Sequence, residues 1–418
     1  MAKDANTAKV DALVIGGGIV GAATAYYLAQ SGMQVALLEK GRIGGEQSSR
    51  NWGSVCKHGR HPAEIPLMLK SIDLWRTLEE ELQADLSWRQ NGHLRIAYKR
   101  ETMAMMENFI PTAKQFGLDT QLLGAREISR LLPHYHAGRD CLGGMFTPSD
   151  GCAEPAQVAA AFAHAAQKKG ARVLTNCAVL RLETTAGEMS GVHSEHGEWR
   201  AKIIVCAAGA WTAQLLRPLG LGYPSLCIRA DVGHAAPPGF AGRQMVVWGK
   251  SAHRFRPDGS ITLAASEDGI HDITPDSFRH GLHFIRLGLR NRHLLRFAAG
   301  KRMWRGIFNN DTHPRAAARE LSPPPDPKML ATAARNFRQE YPQSGEIKFI
   351  KTWAGFIDYT PDALPVLASP AAPRGLVVAA GFCGNGFGMG PAAGNLAAML
   401  AQGKQPHHDL SPFRLLRF

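Results

Sequence analysis

Residues 10–15 (Val-Asp-Ala-Leu-Val-Ile) run straight into Gly16-Gly17-Gly18-Ile19-Val20-Gly21, and little else in the 418 residues limits the fold as tightly. A short, nearly continuous apolar run reads as a strand buried on both faces of a parallel sheet. The fingerprint Gly16-x-Gly18-x-x-Gly21 then opens an alanine-rich helix. Gly16 permits the tight turn, Gly18 lets a pyrophosphate reach the helix N-terminus, and Gly21 lets helix and strand pack closely. Residues 35–38 supply a second strand ending in Glu39, placed to accept both hydroxyls of a ribose. Strand, glycines, helix, strand and acid in one unit specify a dinucleotide site. Glu39 argues against a 2′-phosphate, since two anions would meet there, and this unit alone allows either NAD or FAD.

Two later stretches narrow the choice. Residues 157–169 read as a helix, followed by extended stretches at 170–174 and 178–183. An apolar strand at 202–206 breaks at Ala207-Ala208-Gly209-Ala210-Trp211 before a helix at 212–216, and small residues at a strand end let a cofactor pass over it. Residues 375–381 are a further buried strand, leading through Phe382-Cys383-Gly384-Asn385-Gly386-Phe387-Gly388-Met389-Gly390-Pro391 to a helix expected over 392–400. Free N–H groups at such a turn suit the anionic pyrimidine side of a reduced flavin, a need that a nicotinamide does not have.

Between Pro-containing segments at 218–224 and 323–327, the span 222–352 alternates strands with a helical stretch near 276–297 and reads as an inserted substrate domain, to which 86–150 also contribute. Within it, residues 278–305 are dense in arginine, with Phe278, Leu282, Ile285, Leu289 and Phe297 at helical spacing. Such a helix can rest on an anionic membrane or a partner subunit. The simpler expectation is that it packs its apolar side on its own domain and leaves the basic face wet.

The net charge of +13 favours anionic substrates, acidic partners or anionic lipid. No aromatic-and-basic module accompanies it, so nucleic acid is not expected as a partner. Seven cysteines without a CxxC point to buried free thiols in a reducing compartment, and no metal centre is expected. Residues 1–9 lack the apolar stretch of a signal peptide, and no run is long enough to span a bilayer. A cytoplasmic location is expected, with peripheral contact at the inner membrane allowed by the basic amphipathic stretch.

Together with residues 44–53 (Gly-Gly-Glu-Gln-Ser-Ser-Arg-Asn-Trp-Gly), Trp353-Ala354-Gly355 and Thr360-Pro361-Asp362-Ala363-Leu364-Pro365, these pieces resemble the D-amino acid oxidase superfamily of FAD-dependent oxidoreductases over nearly the whole chain. That superfamily includes glycine and sarcosine oxidases, D-amino acid dehydrogenases and dye-linked proline dehydrogenases. The resemblance implies an α/β protein with a Rossmann-like FAD-binding domain (10–85, 151–221 and 353–410) and an α+β substrate domain on an antiparallel or mixed sheet (86–150 and 222–352). It implies Gly16, Gly18 and Gly21 at the pyrophosphate and Glu39 at the adenosine ribose. Ser48, Ser49, Arg50, Asn51 and Gly53 would line the path to the flavin, with Val179 near the adenine and Ala208 and Gly209 beside the phosphate. Gly386, Phe387, Gly388 and Met389 would face the flavin edge, and Ile19, Val20, Lys40, Trp211 and Gly384 complete the cofactor set.

The chain departs from its apparent relatives in two places. Glycine oxidases and D-amino acid dehydrogenases carry a carboxylate-clamping arginine shortly after Trp-x-Gly, whereas here the run is Gly355-Phe356-Ile357-Asp358-Tyr359. This is closer to the beta subunit of heteromeric sarcosine oxidase and to dye-linked proline dehydrogenase. Monomeric sarcosine oxidases attach their flavin to a cysteine in this region, but this chain has none between Cys227 and Cys383, and Gly388 replaces their lysine. Non-covalent FAD is therefore expected.

The clamp is then sought at Arg305 and Arg302, which flank Met303-Trp304, with Arg256 and Lys351 as further candidates. His234, His253 and His58 are candidate proton acceptors, and Tyr359 a hydrogen-bond donor to substrate. The expected reaction moves hydride from the carbon of an amino acid or secondary amine to flavin N5, leaving an imine that hydrolyses; oxygen, a quinone or a partner protein would then take the electrons. The alternatives are a 2-hydroxy acid or polyol-phosphate dehydrogenase, and a non-catalytic flavin-binding subunit.

Overall fold

Strand Ala12–Ile15 is buried along its whole length and sits inside a six-stranded sheet. The order is Val366–Ala368, Leu376–Ala380, Ile203–Cys206, Ala12–Ile15, Val35–Leu38, Arg172–Leu174, parallel except for the first pair. The structure, a computed structural model, describes residues 8–418 except 137, 139, 250, 266–268, 291–294, 300–317 and 407. Helix Ile19–Gln30 lies over the sheet between helices Pro155–Lys168 and Gly386–Ala401. It is buried from Ile19 to Ala29, which explains its apolar composition on every side. A side chain at Gly394 would come within 2.4 Å of Ala23 Cβ, so glycine sets the close crossing of the first and last of these helices.

The strand expected at 10–15 starts only at Ala12. Ala8–Lys9 joins a separate four-stranded sheet with Gly197–Arg200, Glu188–Ser194 and Val179–Thr185. At the break, the Asp11 carboxylate accepts Gln34 N–H at 2.8 Å.

A third sheet, of ten strands, lies beside these. Strands His93–Ala97, Gln121–Leu123 and Gly143–Thr147 share it with the strands between Leu226 and Ala298. Its longest pairing joins Leu226–Ala235 antiparallel to Phe349–Tyr359, with Arg229 opposite Phe356 and Val232 opposite Trp353. Two pairings in the sheet, Met245–Trp248 with His93–Ala97 and Gly269–Asp272 with Leu295–Ala298, are parallel, so the sheet is mixed. The architecture is thus α/β, with a Rossmann-like layer and a mixed sheet beside it.

Two expected helices differ. The last begins at Gly386 instead of 392 and contains Pro391. Beside this irregular turn, Gly388 O accepts Ser71 Oγ–H at 2.6 Å and the Trp75 indole N–H at 2.9 Å, bonds from outside the helix that steady a segment proline would otherwise weaken. The stretch expected as one helix near 276–297 is Pro275–His280, a 3-10 turn Gly281–Phe284, helix Ile285–Arg290 and strand Leu295–Ala298. Nor does its apolar side pack inward. Phe278 is 74% exposed, Leu282 83%, Leu289 64% and Phe297 67%.

Candidate active site

The first glycine turn is built as its spacing requires. Gly16 has φ +103, and a Cβ there would stand 2.4 Å from Ala207 O. A Cβ on Gly21 would stand 2.0 Å from Gly16 O, so its place is between helix and turn. Gly18 differs: only Ser48 Oγ, at 3.0 Å, would be near, and its open side faces the cavity. Ser48 Oγ accepts Ile19 N–H at 2.8 Å, holding a hydroxyl at the helix N-terminus. The Glu39 carboxylate accepts Gly17 N–H at 2.6 Å and Gly41 N–H at 2.7 Å. Burial pushes its pKa up while those two N–H groups pull it down. A carboxylate has about four acceptor sites, so about two stay open to a ribose.

From this turn a cavity of about 510 Å³ extends across the sheet, within the range of small-molecule and cofactor sites. It reaches Gly384, Asn385 and Gly386 at the start of the last helix. In the sheet, Leu376–Ala380 lies three strands from Val35–Leu38, which separates the two ends by about 14 Å. Val179, Ala208, Gly209 and Trp211 line the path, as do Ile19 and Val20. The glycines whose side chains would fill the cradle, the open helix end and the acid at strand end all fit a bound dinucleotide.

Residues 44–53 form the other wall. Lys40 Nζ bonds to Glu46 at 2.5 Å and lies 4.4 Å from the centre of the Trp211 ring, whose N–H donates to Glu46 at 3.2 Å. Arg50 donates to Ala354 O at 3.2 Å, and the Trp353 indole N–H donates back to Arg50 O at 3.0 Å. Asn51 Oδ1 accepts Gly53 N–H at 2.8 Å and shapes the turn. Two segments some 300 residues apart in sequence thus lock together at the cavity.

Five residues expected at the cofactor are not on the cavity wall. Besides Gly21, Ser49 bonds back to Glu46 O, and a Cβ on Gly53 would meet Ala153 O at 2.4 Å. Because the last helix starts at Gly386, its turn carries Gly388 and Met389 away from the opening that Gly386 and Phe387 face. Gly388 packs against Val55 and Met68, and Met389 is fully buried.

At the far end of the cavity from the Gly16 turn, the wall comes from Ala230–Val232 and 355–359 of the paired long strands. Tyr359 is there, its hydroxyl pushed above the usual phenol range by burial first and by Cys383 and Asp358 next, so it stays a donor. Arg302 and Arg305 lie outside the described residues. His234 is off the cavity and meets Ser260 Oγ at 2.8 Å. His253 sits in the core against Tyr341 Oη at 3.2 Å, and burial lowers its pKa to about 3. Arg256 is 2.9 Å from Glu154, and Lys351 is exposed.

Sequence reasoning passed over several residues that organise the site. Asp358 accepts Gly381 N–H at 2.9 Å and Gln47 Nε2–H at 3.0 Å, joining the last glycine turn to the 44–53 segment; burial raises its pKa to about 6. Arg60, His93 and Arg95 also line the cavity. For the latter two a signal was available: in His93-Leu94-Arg95-Ile96, alternation puts His93 and Arg95 on one face while Leu94 and Ile96 enter the core.

A model of the FAD-dependent oxidoreductase family matches residues 11–400. Glycine oxidase of Geobacillus kaustophilus (strain HTA426) is 27% identical, with 98% of each chain covered. Sarcosine oxidase subunit beta of Arthrobacter sp is 26% identical over 98% of this chain and 91% of that one. Among solved structures, L-amino acid deaminase from Proteus myxofaciens in complex with anthranilate has a TM-score of 0.92 at 27% identity, covering 100% of this chain and 95% of that chain.

Proposed function

We propose that this chain, which belongs to the FAD-dependent oxidoreductase family, oxidises the C–N bond of an amino acid or a secondary amine. The observation that carries the reading is one continuous cavity running from the Gly16 turn and Glu39 to Tyr359 and the long paired strands. Relatives named for glycine, sarcosine and L-amino acids support the substrate class.

Gly16, Gly18 and Ser48 would hold the pyrophosphate, Glu39 the ribose, and the Gly384–Phe387 turn the flavin edge. No cysteine bond to the flavin is needed. When bound, FAD takes up the hydride at N5 and passes both electrons on. The chain's part is positional: the cavity walls exclude water, the amine carbon is held in line, and Tyr359 donates a hydrogen bond to the substrate. Loss of hydride from carbon and of a proton from nitrogen leaves an imine, which water hydrolyses.

Anaerobic addition of glycine, sarcosine, proline and D- and L-amino acids to the purified holoprotein is expected to bleach the visible flavin band with at least one of them. Recovery on admitting air would identify oxygen as acceptor, and persistence a quinone or protein. No bleaching by any amine would overturn the reading.

The outward apolar stripe supports an acceptor at a membrane surface. Phe278, Leu282 and Leu289 alternate with Arg279 and exposed Arg286, a pattern that fits the boundary of an anionic bilayer. No described helix is long and apolar enough to cross a membrane. The protein is expected to co-sediment with vesicles containing phosphatidylglycerol and not with phosphatidylcholine alone, and Leu282→Asp with Phe278→Asp to lower that binding about tenfold or more. Equal binding by the doubly substituted protein would refute this contact.

A further inference from the structure

The family's expected arginine after Trp-x-Gly is missing, yet the cavity is not without cations. Arg60 comes from the loop after strand Ser54–Val55, and Arg95 from the middle of strand His93–Ala97. Arg60 is only 8% exposed, and its guanidinium donates to Cys56 O at 3.0 Å and to Cys56 Sγ at 3.5 Å, a carbonyl and a sulfur instead of a carboxylate. Lys57, close by, lies 3.8 Å from Asp150 and 3.8 Å from Asp119.

Within range of both arginine charges stands His93, 4% exposed, with neither ring nitrogen hydrogen-bonded among the described residues although it lines the cavity. An imidazole buried this deeply and left unsatisfied is costly unless a ligand completes it. Its ring is fixed by stacking on His58 at 4.2 Å and by Trp52 at 5.8 Å. Cys56, His93 and Asp150 approach one another within 4.8 Å, the spacing of a metal site, but Lys57, Arg60 and Arg95 around them repel a cation. The position is also right. A Cβ on Gly388 would meet Val55 Cα at 3.3 Å, so the segment leading to Arg60 abuts the first turn of the last helix, away from Glu39.

We propose that Arg60 and Arg95, together with His93, form the subsite that binds the carboxylate of the substrate. This rests on the amino acid reading above. It also sets specificity: acids are oriented for oxidation, and the matching amines without a carboxylate are poor substrates.

The test uses the FAD-loaded protein and anthranilate as a carboxylate probe, with binding read by calorimetry. Arg60→Gln and Arg95→Gln are each expected to raise Kd about 10- to 100-fold at unchanged flavin content. Arg60→Lys and Arg95→Lys keep the charge but lose the planar fork and are expected to fall between, which keeps the test open if a glutamine variant fails to fold. His93→Gln is expected to weaken binding by less. Equal affinity in all variants, or no saturable binding to the unsubstituted protein, would overturn the subsite. Flavin reduction by the amine panel is read in the same preparations. Reduction with anthranilate affinity unchanged by substitution removes the subsite alone, whereas no reduction by any amine removes the function beneath it.

Discussion

Gly16→Ala is expected to yield protein that carries less than about a tenth of the flavin bound by the unsubstituted chain, and to melt at a lower temperature. Two causes combine. The backbone at Gly16 has φ +103, which an L side chain rarely adopts, and the new Cβ would be 2.4 Å from Ala207 O, a backbone atom that cannot swing aside. The turn would have to open, moving both the helix N-terminus and the strand end on which the proposed pyrophosphate site rests.

Two companion variants separate these causes. Gly32→Ala shares the positive φ, at +88, but has nothing within 4 Å; it is expected to cost about 1–2 kcal/mol and to keep its flavin. Gly18→Ala meets only Ser48 Oγ, so it is expected to fold with little loss of stability and still bind FAD poorly, because the methyl occupies the cofactor's approach. Flavin-to-protein ratio and melting temperature, measured on all three, decide it. A Gly16→Ala protein with full flavin content would show that this turn is not the pyrophosphate cradle.

Asp150→Asn is expected to flatten the fall of stability with rising pH. Asp150 is buried, and burial first, with the charge of Cys56 adding, lifts its pKa from the ordinary 3.8 to about 7 against the pull of the Lys57 charge and backbone N–H. A raised carboxyl pKa means that the folded state holds its proton where the unfolded chain has released it. Stability from this group is therefore complete below about 3.8 and is lost as pH climbs through about 7. Below that window the neutral acid and the amide have the same shape, so the two proteins start level. Above it the substituted protein is expected to be more stable by roughly 2–4 kcal/mol.

The environment fixes the sign. Lys57 N–H donates to Asp150 Oδ1 at 2.9 Å, a bond the amide oxygen keeps, while Oδ2 has no hydrogen-bond partner among the described residues and lies 3.8 Å from His58 Nδ1. His93 is neutral in this range, since burial lowers its pKa to about 4. Glu340, raised to about 7, and Asp231 and Asp358, each raised to about 6, leave a residual slope in the variant. Urea unfolding between about pH 4 and pH 8 measures the difference; parallel curves would mean that the carboxylate is already ionised at the bottom of the range.

The dinucleotide unit was legible in the sequence because its determinants are local. A glycine at positive φ, a small residue under a helix and an acid at a strand end depend on neighbours within about thirty residues. Identification of the family needed no more than such pieces in order. The 278–297 stretch shows the limit. Helical spacing correctly finds a face, but which side that face turns to depends on what the rest of the chain offers, and among the described residues nothing covers Phe278 or Leu282.

The same reason explains the misplaced ends of the last helix. Pro391 and the glycines around it argue for a late start, yet Ser71 and Trp75, more than 300 residues earlier in the chain, hold Gly388 O and support an early one. That shift turned Gly388 and Met389 from the cavity into the packing. Asp358 joins the two motif segments only once they meet in space, and Arg60, Arg95 and His93 become neighbours only when a loop and a strand converge on one wall. The sequence by itself determined the cofactor class and the Rossmann-like layer, since backbone conformation and short-range packing encode them. Tertiary structure alone decided which charged side chains line the cavity, because burial and the meeting of distant segments have no local signature.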